Sequence, residues 1–285
     1  MRIALTYTRL RIEERLLLDE FEKLGVEVDA IDLRKQVFDP ERMGFWKRYD
    51  IVVDRAVSLT NSLVATRILE SAGIRCVNPF ATLSLCSDKL ATSVALTAEG
   101  VAIPSFRVAA TSEAGLEAVE DLGYPVVLKP TIGSWGRLVA RVNDRDSAEA
   151  VLEHREMLGS AQQSVVYAQE HIDKPGRDLR VFVVGGDPIA CIARYSEHWV
   201  TNTARGATTE GVEITHELRE LSARAAAAVG GDAVAIDLLE CPVRGLLVNE
   251  INHSMEFRNS IDVTGINIPG RVAEYIARIG AGELS

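Results

Sequence analysis

Between Val234 and Asn259 the chain reads V-A-I-D-L-L-E-C-P-V-R-G-L-L-V-N-E-I-N-H-S-M-E-F-R-N. Two strongly apolar runs around a short Pro/Gly turn predict a β-hairpin. Asp237, Glu250 and Asn252 sit within those runs, where a carboxylate is costly unless something positive accompanies it. If the turn is Pro242-Val243-Arg244-Gly245, pairing sets Asp237 across from Glu250, and the strand period puts Asn252 on the face of Glu250. Like charges so placed destabilise a sheet, and a hard divalent cation reverses the sign. Oxygen-only ligands with positions left for water and phosphate suit Mg²⁺ carrying a nucleotide. The alternative is an exposed hairpin with surface carboxylates, which the flanking Ala-Val-Ala-Ile and Leu-Leu-Val disfavour.

A chain of 285 residues with 47% hydrophobic content can bury a full core and hold two or three modest domains. A net charge of -10 argues against general nucleic-acid binding. No apolar run approaches a membrane span and no secretory leader follows Met1, so a cytoplasmic protein is expected. Cys76, Cys86, Cys191 and Cys241 form no C-x-x-C pair and read as buried thiols rather than a disulfide or zinc framework.

The first 85 residues alternate strand and helix and predict a small doubly wound α/β domain without the G-x-G-x-x-G turn of a dinucleotide site. Ser87 is placed as the cap of a helix running through Leu96. From there the pattern mixes helices with antiparallel strands, an α+β arrangement over 86–170 and 171–285 with a cleft between the two parts.

Lys129 ends a strand and precedes a loop built on Gly133, Ser134 and Gly136. Such loops let backbone N–H groups approach phosphate oxygens, with lysine as a point charge; a hairpin with a snorkelling lysine is the bland reading. Lys89 falls in the first turn of its helix, where the dipole disfavours a cation and an anion partner would relieve it. Arg177, Arg180, Arg194, Asn202 and Arg205 lie in or beside apolar strands and suit carboxylate or phosphate recognition, or structural ion pairs. His198 lacks a nucleophile elbow, which leaves a hydrolase triad little support.

In order, Lys89, Lys129 with its Gly loop, Gln169-Glu170, the Arg177-Asp178-Leu179-Arg180 strand and the Asp237, Glu250, Asn252 set resemble the ATP-grasp superfamily of carboxylate-amine ligases. Four segments narrow the likeness: Ile132-Gly-Ser-Trp-Gly-Arg, Lys174-Pro-Gly-Arg-Asp, His198-Trp-Val-Thr-Asn-Thr-Ala-Arg-Gly and Val248-Asn-Glu-Ile-Asn-His-Ser-Met-Glu-Phe-Arg-Asn-Ser. They are similar to LysX/ArgX/RimK-type ligases over nearly the whole chain. The resemblance implies an ATP-grasp fold behind a pre-ATP-grasp α/β domain, with ATP and Mg²⁺ as cofactors. It implies a ligase joining α-aminoadipate to the C-terminal glutamate of a small acidic LysW-like carrier protein in lysine biosynthesis, through an acyl phosphate. Glutamate as acceptor is the alternative, in arginine or ornithine biosynthesis or RimK-like glutamate ligation.

By the same resemblance Lys89, Lys129, Arg177 and the Gly133, Ser134, Gly136 loop serve the nucleotide, and Gln169, Glu170, His171 and Ile172 hold adenine. Asp237, Glu250 and Asn252 carry the metal. Arg194, Asn202 and Arg205 are the catalytic set, and with Asn259 and Ser260 they meet substrate carboxylates. The chain departs from the family at Gly206-Ala207 and at Ala193, where an aromatic is common, which bears on substrate size. An acidic carrier meeting an acidic enzyme needs a local positive entrance, expected at Arg137, Arg177 and Arg205. A homo-oligomer, dimer or tetramer, is implied. A non-catalytic nucleotide-binding scaffold is the reading from another class; it would lack a metal ligand or phosphate lysine, and none is missing here.

Overall fold

The computed structural model describes residues 1–133, 137–159, 165–201 and 206–284. Arg2–Tyr7 (β1), Glu27–Asp32 (β2), Ile51–Asp54 (β3) and Arg75–Val77 (β4) form an all-parallel sheet in the order β2-β1-β3-β4. Parallel strands need crossovers that cover both faces. Ile3 and Leu5 therefore pack on Leu17 and Phe21 of Ile12–Lys23 (α1), while Ala4 packs with Ala65 and Leu69 of Leu59–Ser71 (α2). This is the doubly wound arrangement read from the sequence.

Two helices follow where one is expected. Phe80–Ser87 (α3) ends at the predicted cap, and Lys89–Ala98 (α4) begins with Asp88 as its N-cap. The Asp88 carboxylate accepts from the N–H groups of Leu90 and Ala91 at 2.8 and 3.2 Å. A carboxylate satisfies both orphan donors and complements the helix dipole, which a Ser87 hydroxyl does less well.

Phe106–Ala109 (β5), Val126–Lys129 (β6), Ala140–Val142 (β7) and Val166–Glu170 (β8) build an antiparallel sheet in the order β5-β8-β6-β7. Ser112–Leu122 (α5) and Arg145–Leu158 (α6) close one face of it through Val119 and Leu152. Arg177–Val184 (β9), Asp187–Tyr195 (β10), Thr208–Gly211 (β11), Ala233–Cys241 (β12) and Gly245–Asn252 (β13) form a second antiparallel sheet, ordered β11-β10-β9-β12-β13. His216–Ala228 (α7) covers one face over Val181, Val183 and Ile236, joined by Leu96 of α4. Helix α4 thus packs on this sheet although it precedes β5 in the chain.

The opposite face explains why the strands read as nearly continuous apolar runs. Phe182, Val184, Ile192 and Ala235 pack in one core with Ile3, Ile51 and Val53 of the first sheet. Val272 and Ile276 of Ile268–Gly280 (α9) complete it. Arg258–Thr264 (α8) lies against β11, where a Cβ on Gly211 would clash with the Val263 carbonyl oxygen. Glycine at 211 is therefore what lets α8 sit there.

The β12–β13 hairpin pairs Asp237 with Glu250, as read from the sequence, by a different route. Cys241 pairs with Gly245, so the loop is the three residues 242–244, with Gly245 at φ +74°. That loop alone would shift the register by one. A bulge restores it: Leu238 pairs with Val248 and Asp237 with Glu250, leaving Asn249 as the extra residue.

Because Phe182 is fully buried in the core shared by two sheets, Phe182→Ala should cost about 3–5 kcal/mol. Urea unfolding should remain one cooperative transition with a lowered midpoint. Two separated transitions would show that the sheets do not depend on a common core.

Candidate active site

The face of β9 and β10 that buries Phe182 and Ile192 becomes charged two residues further along. Asp178, Arg180, Arg194 and Asp237 share that face, because strand side chains alternate and these positions pair in register: Asp178 with Arg194 and Arg180 with Asp237. Arg180 grips Asp237 with two bonds, Nε to Oδ1 at 2.7 Å and Nη2 to Oδ2 at 2.8 Å. Arg194 bonds Asp178 through Nε at 2.7 Å and reaches Asp237 Oδ2 at 3.0 Å. Lys174 Nζ donates to Thr201 Oγ1 at 2.7 Å and lies 3.6 Å from Asp178, which also accepts from Thr201. Burial would raise the Asp237 pKa, but Arg180 and Arg194 overcome it and hold the carboxyl below its ordinary range. Burial likewise opposes the charge on Arg194, and Asp237 with Asp178 outweighs it, so its pKa is raised.

A cleft of about 490 Å³ opens over this lattice. Its walls come from the antiparallel sheet β5-β8-β6-β7, the strand pair β12–β13, and the start of α4. Lys129, at the end of β6, donates to Gln169 Oε1 at 2.6 Å and Asn249 Oδ1 at 3.0 Å. Desolvation lowers its pKa to about 8, with Lys89 and Lys174 adding to the effect and Glu250 opposing it. Lys89 donates from Nζ to the Gly133 carbonyl at 2.6 Å and stands 3.8 Å from Glu250. Two converging lysines with only neutral acceptors and one carboxylate near them suit a polyanion. His171 and Ile172 line the same cleft where the chain leaves β8, with Trp199 6.0 Å from His171 between ring centres.

A second cavity of about 600 Å³ adjoins the first and shares Arg11, Arg180, Arg194 and Glu256 with it. Its other walls are the β1–α1 loop with Arg9, the start of α1 with Arg15, and the start of α8 with Arg258, Asn259 and Ser260. Arg11 is fixed by Glu14, through Nε at 3.1 Å and Nη2 at 2.8 Å, and by Glu256 at 3.1 Å. Buried Arg55 bonds Glu14 at 3.2 Å and the Met255 carbonyl at 2.8 Å. Asn78 bonds the carbonyls of Ala233 and His253 at 2.8 and 2.7 Å. These contacts tie the first sheet to the start of β12 and to the segment that connects β13 with α8.

The expected site residues divide accordingly. Lys89, Lys129, Gly133, Gln169, Glu170, His171, Ile172, Asp237, Glu250 and Asn252 line the first cleft, while Asn259 and Ser260 line the second and Arg194 lines both. Ser134, Gly136, Asn202 and Arg205 lie outside the described residues. Arg177 is not brought to either cavity: its guanidinium is bidentate with Glu240 at 2.6 and 2.8 Å and bonds the Tyr195 hydroxyl at 3.0 Å. Arg180, three residues on, faces the cleft instead, and the odd spacing within one strand was the signal that the two must point to opposite sides. The positive charge against Asp237 is therefore arginine in the first instance, where the sequence suggested a metal ion. Ala193 packs among Leu179, Val181 and Ala225, so it does not line either cavity. His198 stands outside both cavities, its Nδ1 accepting from the Val200 N–H at 3.0 Å. Arg180, read from the sequence as a carboxylate or phosphate partner or a structural ion pair, is brought to the site; Arg11, Lys174 and Asn249 were missed, Asn249 because only the bulge turns it inward.

Lys129 should titrate near pH 8 in the nucleotide-free protein, against an ordinary lysine value of 10.5. It is thus protonated and able to hold an anion below that pH. NMR of the isotopically methylated side chain reads the midpoint, and bound polyphosphate should move it upward; a midpoint near the ordinary value would refute the desolvated placement.

Comparison with known proteins agrees with this architecture. Residues 3–85 match the LysX preATP-grasp domain and residues 86–276 the RimK-like ATP-grasp domain. The glutamate–LysW ligase ArgX of Sulfolobus acidocaldarius is 36% identical over 97% of this chain and 98% of its own length. The α-aminoadipate–LysW ligase LysX of Sulfurisphaera tokodaii is 34% identical over 98% of this chain and 97% of its own. The crystal structure of a RimK-domain ATP-grasp protein from Sphaerobacter thermophilus superposes with a TM-score of 0.80 at 29% identity, covering 96% of this chain and 99% of that one. With both matched domains in sequence and the lysine-lined cleft between two antiparallel sheets, the chain belongs to the RimK-like ATP-grasp family of ligases.

Proposed function

We propose that the protein joins the α-amino group of α-aminoadipate to the side-chain carboxylate of a C-terminal glutamate on a small acidic carrier of the LysW type, at the expense of ATP. One observation carries the reading: two cavities meet at Arg180 and Arg194, one lined by lysines and amides, the other by arginines. A phosphoryl group held in the first is adjacent to a carboxylate held in the second. Among the described residues no helix is long and apolar enough to cross a membrane.

In this reading the carrier carboxylate oxygen attacks the γ-phosphorus of ATP, ADP departs, and an acyl phosphate forms. The amine then attacks the acyl carbon, phosphate leaves with the C–O electron pair, and the nitrogen loses a proton. Lys89 and Lys129 hold phosphate oxygens, and Gln169, Glu170, His171 and Ile172 border the base. Arg194, held by Asp178 and Asp237, offers a preset guanidinium to the charge that develops on transfer. Asn202, Arg205, Ser134 and Gly136 belong to the same proposal.

Mg²⁺ fits beside Glu250, Asp237 and Asn252. The buried Asn252 Nδ2 has no hydrogen-bond partner among the described residues, so the amide can turn its oxygen to the cleft without losing a bond. Glu250 keeps open carboxylate lone pairs, and Asp237 faces it across the strand pair. When bound there, the ion would offset the charge of the polyphosphate.

Glutamate is the second reading, favoured by the slightly higher identity to the glutamate–LysW ligase, 36% against 34%. The two amino acids differ by one methylene, worth about 1–3 kcal/mol in a pocket. The dimer or tetramer carried over from the resemblance is part of the proposal, and mass photometry reads it.

Incubating the protein with ATP, Mg²⁺, a LysW-type carrier and each amino acid in turn, then weighing the carrier, tests the reading. The carrier should gain one amino-acid residue, with phosphate released only when both substrates are present. Phosphate release indifferent to carrier and amino acid would defeat it. Glu250→Gln should abolish ATP turnover while the thermal midpoint is kept, and full activity in that variant would remove the metal assignment.

A further inference from the structure

The bulge in β13 has a chemical consequence at the two lysines of the first cleft. Consecutive residues of a regular strand point to opposite faces. Asn249 and Glu250 nevertheless both line the cleft, while Val248 and Ile251 on either side of them both enter the core under α7. The extra residue thus gives the cleft a second polar side chain next to the first. Glu250 stands 3.8 Å from Lys89, and Asn249 Oδ1 accepts from Lys129 at 3.0 Å.

Lys129 and Asn249 belong to different sheets with different cores, one holding Val126, Leu128 and Ala168, the other Val248 and Ile251. The Lys129 ammonium spans the two. It donates to Gln169 Oε1 of its neighbouring strand β8 at 2.6 Å, and to Asn249 across the cleft. An ammonium has three N–H groups and accepts nothing, so both amides must turn their oxygens to it. The third N–H is without an acceptor among the described residues, and the two acceptors fix its direction. Both acceptors are neutral, so the lysine keeps its whole charge for an anion. A carboxylate at 249 would instead pair with the ammonium and repel phosphate.

Resting on the nucleotide role given to Lys129 above, we propose that Asn249 is a positioning residue of the ligase: from the bulge it orients the Lys129 ammonium so that the remaining N–H meets a phosphate oxygen of the nucleotide. The sheet that carries Asp237 and Glu250 thereby also aims the lysine of the opposite sheet. Arg244, at the turn of the same hairpin, bonds Glu170 at the end of β8 and holds the hairpin to that sheet at a second point.

The test uses the full-length protein with Asn249→Leu, which removes the acceptor at similar volume, and Asn249→Asp, which keeps the shape and adds a charge. By calorimetry, ATP affinity should fall about fivefold in the leucine variant, roughly 1 kcal/mol, and further in the aspartate variant. NMR of lysine labelled at the ε-carbon, with the Lys129 signal identified through Lys129→Arg, gives the second readout. Loss of an acceptor disfavours the charged ammonium and a facing carboxylate favours it, so the titration midpoint should move down in Asn249→Leu and up in Asn249→Asp. Lys89, Lys174 and Glu250, the other charges that act on Lys129, are the same in both. Val243→Ser, at the exposed turn of the hairpin, should leave both readouts at their wild-type values. Unchanged ATP affinity in both Asn249 variants, a midpoint that moves the same way in both, or equal effects in Val243→Ser would overturn the assignment. Neither readout depends on turnover. Carrier ligation by the wild type with both readouts unmoved in the variants sinks the positioning role alone; the expected shifts, with no ligation of any carrier, sink the ligase reading alone.

Discussion

Asp237 stands in the middle of a buried sheet with two guanidiniums on one carboxylate, and the candidate active site is arranged around that contact. Desolvation penalises every charge in the lattice, and only mutual pairing makes it tolerable. Removing one member would strand the others, at a cost of about 3–5 kcal/mol. The pairing therefore fixes rotamers as well as charge: Arg180 and Arg194 are held where both cavities reach them. Lys174 and Thr201 extend the lattice toward the polar loop that follows β10.

The hydrophobic core makes this precision possible. The same sheet face is apolar at Phe182, Ile192 and Ala235, where it meets the first parallel sheet, and charged at Arg180, Arg194 and Asp237, where it meets solvent and the other antiparallel sheet. One face thus anchors the N-terminal element and presents the chemistry a single pleat further on. The anchoring also delivers Arg11, whose orientation is set by Glu14 of α1, itself held by Arg55 just after β3. The N-terminal element is accordingly part of the site rather than an appended module.

Much of the fold was legible because the strands are buried on two faces and the helices on one, so apolar periodicity reports them directly. The elements that escaped were short or polar. Helix α3 carries little helical apolar pattern, β11 is four residues of Thr, Glu and Gly, and α8 opens on Arg258 and Asn259. In the site, Lys89, Lys129, Glu250 and Asn252 were readable because a charged or amide side chain in an apolar strand or at a helix start is conspicuous. Arg11 and Asn249 were not: one acts through a helix cap, the other through a bulge, and neither leaves a spacing signature.

By itself the sequence determined which strands form, which carboxylates and lysines interrupt them, and the ligase family to which their order belongs. These are local consequences of burial, charge and chain order. Tertiary structure decided which partner each charge meets. Strand alternation sent Arg177 outward to Glu240 and Arg180 inward to Asp237, and a three-residue loop with a bulge set the Asp237–Glu250 register. The packing of the first sheet on the last brought the Arg9, Arg15 and Arg258 rim together. That rim depends on contacts between segments more than two hundred residues apart, such as Arg11 with Glu256, which no local pattern encodes.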